Sequence, residues 1–184
     1  LTAANLVDLT KRSTFNYDAI STNPIFTTVT ATNNVFQVID STLGLPATLA
    51  PALTDGRIAF YTSINATIAP RYRINGFYNN TTTAIPIYLP GEIMLIKAEA
   101  MARTNNLTGA LDELNKVITK TATADLFRVG AGLPASTAST STAILEEIYK
   151  NRCIELYMSG LKLEDMRRFG RPVSERKRNF FPYP

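Results

Sequence analysis

The chain has 184 residues, 45% of them apolar and 18% charged, with a net charge of +4; this is the composition of a globular protein with room for one sizeable core. It contains no histidine and one cysteine, Cys153, which excludes Ser-His-Asp and Cys-His nucleophile pairs, histidine-ligated metals, disulfide frameworks and CxxC motifs. The best apolar run, residues 93–102, is broken by Lys97 and Glu99 and is too short to span a membrane.

The positive excess sits in one place. Residues 162–178 carry seven basic side chains (Lys162, Arg167, Arg168, Arg171, Arg176, Lys177, Arg178) against three acids, Glu164, Asp165 and Glu175. Such a stripe can follow a nucleic-acid backbone. Here no series of stacking aromatics interleaves with it and no reader motif accompanies it, so no nucleic acid partner is expected. The chain starts at Leu1 and stops on Phe180-Phe181-Pro182-Tyr183-Pro184, and both ends are expected to be cut.

In chain order, the first half is loop-rich. Thr and Asn are heavily used, 24 and 14 residues, and turn signals recur at Asn23-Pro24, Gly44-Leu45-Pro46, Asp55-Gly56, Asn75-Gly76 and Asn79-Asn80. Short helices are expected over 2–11 and 35–43, and extended segments over 27–32 and 58–63. From Tyr88 the pattern turns helical. Ile93, Met94, Ile96, Ala98, Ala100 and Met101 recur at helical spacing until Asn105-Asn106 breaks the run. Leu107, Leu111, Leu114, Val117 and Ile118 form a second stripe to about residue 120, with Thr108 as its expected cap. A loop over 130–142 leads to a third helix over 143–159, ended by Gly160 as its C′ residue. A short fourth spans 161–169 and stops at Gly170 and Pro172.

The phrase from Ala98 to Arg103, then Asn105-Asn106-Leu107, Ala110-Leu111 and Leu114, is that of one tetratricopeptide-type helix pair, with Ala98 and Ala110 small where the helices cross. One pair cannot bury both its faces. Its cover must come from the irregular half or from further repeats. The fold class expected is therefore mainly α, with tetratricopeptide-type helix pairs and long irregular loops. A single domain is expected over 1–184, loop-rich over 1–87 and helical over 88–184.

Several phrases in order carry a resemblance. Residues 88–106 resemble the "YL-x-x-E…AEA…R" helix of the SusD/RagB family, the nutrient-binding surface lipoproteins of Bacteroidetes. Residues 148–160 are similar to its "I-x-x-E/Q-R/K-x-x-E/A-L-x-x-x-G" helix. Asp165, Arg168, Phe169 and Gly170 follow its "D-x-x-R-W/F-G/T" continuation. Asp55, Gly56, Arg57 and Ile58 resemble its "D-P-R-I/L" phrase with glycine for proline, and residues 180–184 its "F-P-Y/I-P" phrase. Ser159 stands where many members have Glu, and Lys162 where many have Arg. Members are longer, so the resemblance makes this the C-terminal part of such a protein.

The resemblance implies binding of glycans or other nutrients at the cell surface, for import through a SusC-like TonB-dependent transporter. It implies no catalysis and no cofactor. It places the protein on the outer membrane through an N-terminal lipid anchor outside this chain; Cys153, mid-helix, is not that anchor. The alternative readings are a helical-repeat adaptor for a protein or peptide, and a carbohydrate-active enzyme, which needs two carboxylates across a cleft.

Composition supplies the binding candidates. Tyr61, Tyr72, Arg73, Phe77, Tyr78 and Asn79 set rings beside amide and guanidinium groups on turn-rich segments, chemistry that suits the apolar faces and hydroxyls of sugars. Arg152, Glu155 and Asp165, with Glu99, are expected to form a partly buried structural ion network rather than a site.

Overall fold

The computed structural model describes residues 1–30, 40–65, 72–172 and 175. Its scaffold is a layer of three helices. α4 (Pro90–Arg103) and α5 (Leu107–Thr119) form the expected antiparallel hairpin. α6 (Ser141–Glu155) packs against both. Ala98 and Ala110, both fully buried with Leu95, Leu114, Ile144 and Ile148, let the axes approach closely. The cover that a lone pair lacks thus comes from α6 on one side.

Two asparagines make the hairpin turn. Asn105 takes a left-handed φ of +63° and closes α4: its N–H donates to the carbonyl of Ala102 at 3.2 Å, and that of Asn106 to Met101 at 2.9 Å. Asn106 then opens α5, its side chain accepting from the Gly109 N–H at 3.1 Å. The cap is therefore Asn106 and not Thr108. Thr140 caps α6 in the same way. α6 ends at Glu155, so Gly160, although at φ +84°, is not its C′ residue. α7 (Lys162–Arg168) does end in the expected glycine motif, with Gly170 at φ +61° and Arg171 N–H returning to Met166 at 2.9 Å.

The first half departs most from the sequence reading. The helix expected over 2–11 shrinks to α1 (Thr2–Asn5). Residues 27–30 are helical, not extended, because Pro24 opens α2 (Pro24–Thr30) and the Asn23 side chain accepts from the N–H groups of Ile25 and Phe26. Likewise Asp55 caps α3 (Gly56–Tyr61), and only then does the chain extend, as β2 (Thr62–Ile64). A good cap and a buried face override the β-branched composition of both segments. Of the helix expected over 35–43, residues 35–39 lie outside the described residues and 40–43 form turns. Among the described residues, two small antiparallel pairings complete this half. β1 (Thr14–Phe15) pairs with β4 (Ile85–Pro86), and β2 with β3 (Tyr72–Ile74), in register Thr62 to Ile74.

The halves meet through a second core of Leu49, Tyr61, Phe77, Tyr78, Val129, Tyr149 and Ile154, and Phe169 packs against both cores. Running through the contact is a chain of buried charges. Arg57 grips Asp55 with two nitrogens at 3.0 and 2.7 Å and reaches Asn151 at 2.9 Å and Glu155 at 3.3 Å. The other oxygen of Glu155 takes Lys120 at 2.5 Å, and Lys120 bonds Asp125 at 2.7 Å. Glu155 and Arg152 thus serve different networks, against the expectation of a single one. Arg152 bonds Asp165 at 2.8 Å, and Arg168 bridges Asp165 to Glu99. Of the basic stripe, Arg171 is drawn inward by similar pairing: it joins Glu146 and Glu175 and lies 4.6 Å over the Tyr149 ring, while Arg176, Lys177 and Arg178 lie outside the described residues.

Removing Arg57 leaves Asp55 and Glu155 short of their cation in a dry site. Arg57→Met should cost about 3–5 kcal/mol in chemical denaturation. A loss under about 1 kcal/mol would mean that those carboxylates find other partners.

Candidate functional site

A cleft of about 400 Å³ opens where the loop-rich half meets the helices. Each wall follows from local sequence. Leu89 precedes a proline and is held extended, at φ −105° and ψ 145°, so α4 starts sharply at Pro90. This puts Glu92 in the first helical turn, where the Leu89 backbone N–H favours its charged form, and leaves Tyr88 on the cleft wall. The opposite wall is the turn after α6, residues 156–159, in which Met158 takes φ +65°. Phe15 of β1 closes one end, 59% exposed.

The floor is a ring cluster. Phe77 stands edge-on to Phe60 with centroids 5.1 Å apart, and Tyr61 edge-on to Tyr157 at 5.5 Å. The Tyr61 hydroxyl donates to the Glu155 carbonyl at 2.5 Å, and that of Tyr78 to the Met158 carbonyl at 3.4 Å. Burial, then the neighbouring Tyr157 and Tyr17 hydroxyls, push the Tyr78 phenol up to about 12. Burial raises Tyr157 too. These phenols stay neutral at physiological pH and can donate or accept. Tyr88 and Tyr157 are half-buried, so the cleft offers apolar ring surface, hydroxyls and one carboxylate.

The six sequence candidates divide evenly. Tyr61, Phe77 and Tyr78 line the cleft but are buried at 0, 9 and 3% exposure, so they are core rings rather than an exposed platform on loops. The physical reason is their apolar area, which the second core uses to join the halves. Tyr72, Arg73 and Asn79 do not line the cleft. Tyr72 and Arg73 are half-buried on β3, and Asn79 is exposed, with its amide oxygen taking the Thr83 hydroxyl at 2.7 Å. Sequence reasoning missed Phe15, Tyr88, Glu92 and Tyr157. Tyr88 and Glu92 enter the sequence reading as the first and last letters of the "YL-x-x-E" phrase, without a binding role, and nothing marks Phe15 or Tyr157.

Among the described residues, no group of three or more His, Cys, Asp or Glu side chains is placed to hold a metal ion, and no helix is long and apolar enough to cross a membrane. A half-open aromatic cleft on a helix-pair scaffold has the shape and lining to hold a small ligand. The chain belongs to the SusD family, whose sequence model matches residues 31–182. That match and the mainly helical fold agree with the resemblance and the fold class read from the sequence. No curated protein and no solved structure matches the chain.

Burial raises the Glu92 carboxyl above the ordinary glutamate range, outweighing Arg152 and the Leu89 N–H, which lower it, and aided by Asp165. The folded chain therefore holds this proton more tightly than the unfolded chain does. Ionised Glu92 costs stability above its folded pKa, and the cost disappears below the unfolded value. Glu92→Gln should accordingly melt higher than the parent at pH 7, with the gap closing below roughly pH 4. A Gln variant that melts lower at pH 7 would contradict this.

Proposed function

We propose that this protein is a non-catalytic binder of glycans or other nutrients at the cell surface, and that the cleft under Tyr88 and Tyr157 receives the ligand. The observation that carries the reading is membership of the SusD family, which suggests nutrient binding at the cell surface. The cleft supports it with chemistry that matches a sugar. The rings cover the apolar face of a pyranose, and the neutral phenols and Ser159 meet its hydroxyls. Family membership also supports the finer reading: an outer-membrane lipoprotein that hands its ligand to a SusC-like TonB-dependent transporter.

A half-open cleft leaves much of a sugar solvated, so affinity should be modest, roughly 10 μM to 1 mM. The test is a glycan array followed by titration calorimetry on the full-length protein and on Tyr88→Ala and Tyr157→Ala. Each substitution should weaken binding about tenfold, in line with the loss of one ring contact. Loss of binding with Tyr72→Ala or Asn79→Ala instead would move the site to the strip formed by Tyr72, Arg73 and Asn79. Turnover of any glycan, or binding of none, would defeat the reading.

A further inference from the structure

We propose that the cleft prefers a glycan carrying a free amino group, an amino sugar with its nitrogen unacetylated, over the same glycan without that charge. The inference rests on the binding reading above and names the ligand class for that cleft.

Charge distribution points to it. Four clefts among the described residues measure about 530, 520, 400 and 340 Å³. Three of them have at least two cations in their walls: Arg57 and Lys150 beside Asp55 and Glu147 in one, Arg12, Lys116, Lys120 and Arg128 beside Asp125 in the next, Arg152 and Lys162 beside Asp165 in the smallest, so that none carries a net negative charge. The aromatic cleft has none, and its one charged wall residue is Glu92. In a chain of net charge +4 that is a local reversal of sign. An anionic sugar would meet a carboxylate and no base there; a protonated amine would meet the carboxylate and the faces of Phe15, Tyr88 and Tyr157, which attract cations.

Glu92 is also uncommitted. Among the described residues no side chain hydrogen-bonds to its carboxylate; the nearby Leu89 backbone N–H favours its charged form. A carboxylate accepts about four hydrogen bonds, so acceptor capacity remains. The other charged groups whose field reaches it are Arg152 of α6 and Asp165 of α7. Arg152 bonds Asp165 through its Nε at 2.8 Å; among the described residues no ion pair joins it to Glu92, and its buried Nη1 has no hydrogen-bond partner, so its field reaches Glu92 without contact. The upward displacement of the Glu92 carboxyl by burial agrees with an anion short of compensation. An ammonium supplies that compensation, and an acetamido group does not.

The experiment compares twins on the full-length protein by titration calorimetry: a glucosamine trimer against the N-acetylglucosamine trimer, and a lysine-containing tripeptide against its Nε-acetylated form. At pH 7 the glucosamine trimer should bind at least about tenfold more tightly than its acetylated twin. In Glu92→Gln the ratio should fall to about one, and in the unaltered protein it should fall in the same way as the pH is lowered through the Glu92 titration. Equal affinity for the two trimers, or a preference that survives Glu92→Gln, overturns the inference while the nutrient-binding reading stands. A preference confined to the lysine peptide overturns the sugar assignment. Absence of binding by all four probes overturns the amine inference, and the glycan array then decides the wider reading separately.

Discussion

The pairing of Arg57 with Glu155 is the contact on which the two halves of this chain depend. Arg57 sits in the first turn of a six-residue helix that would not persist in isolation. Its guanidinium is 1% exposed, and one nitrogen or another reaches Asp55, Asn151 and Glu155. Glu155, fully buried on α6, would be a costly lone anion without both Arg57 and Lys120. Asp125 holds the far end, accepting from Lys120 and from the backbone N–H groups of Phe127 and Val129. Six side chains from three stretches of sequence are therefore satisfied only when those stretches come together. Such a chain of charges specifies one docking geometry more than it adds stability.

That geometry sets the cleft. The same α3 that carries Arg57 ends in Tyr61, whose hydroxyl binds the carbonyl of Glu155. There α6 stops, and the chain turns through residues 156–159 to form a wall. Gly91 belongs to the arrangement as well. A side chain there would collide with the Glu155 carboxylate, so only glycine lets the start of α4 approach this closely. The position of Glu92 and Tyr88 against Tyr157 is thus fixed by buried charges that never touch the cleft.

The helical half was legible because two long stripes and a pair of asparagines encode it locally. The first half was not, because its α-helices are four to seven residues long, and α2 and α3 exist through Asn23, Asp55 and contacts distant in sequence. The error over Arg152 and Glu155 has a simple geometric source. Residues three apart on a helix differ by about 60° around the axis. On α6, buried on nearly all sides near its end, that is enough to send one to Asp165 and the other to Arg57. Composition found the rings of Tyr61, Phe77 and Tyr78 but not their direction, since a ring that can stack on a sugar can equally fill a core. Phe15, Tyr88, Glu92 and Tyr157 come together only through the tertiary fold.

The claim at the centre of this account is that ligand settles between the loop-rich half and the end of α6. Hydrogen exchange of the full-length protein, with and without the glycan that the array identifies, tests it directly. Slowed exchange in both 77–92 and 156–161, with 72–74 unchanged, is the result expected. Protection that leaves both of those segments untouched would place the ligand elsewhere and contradict it.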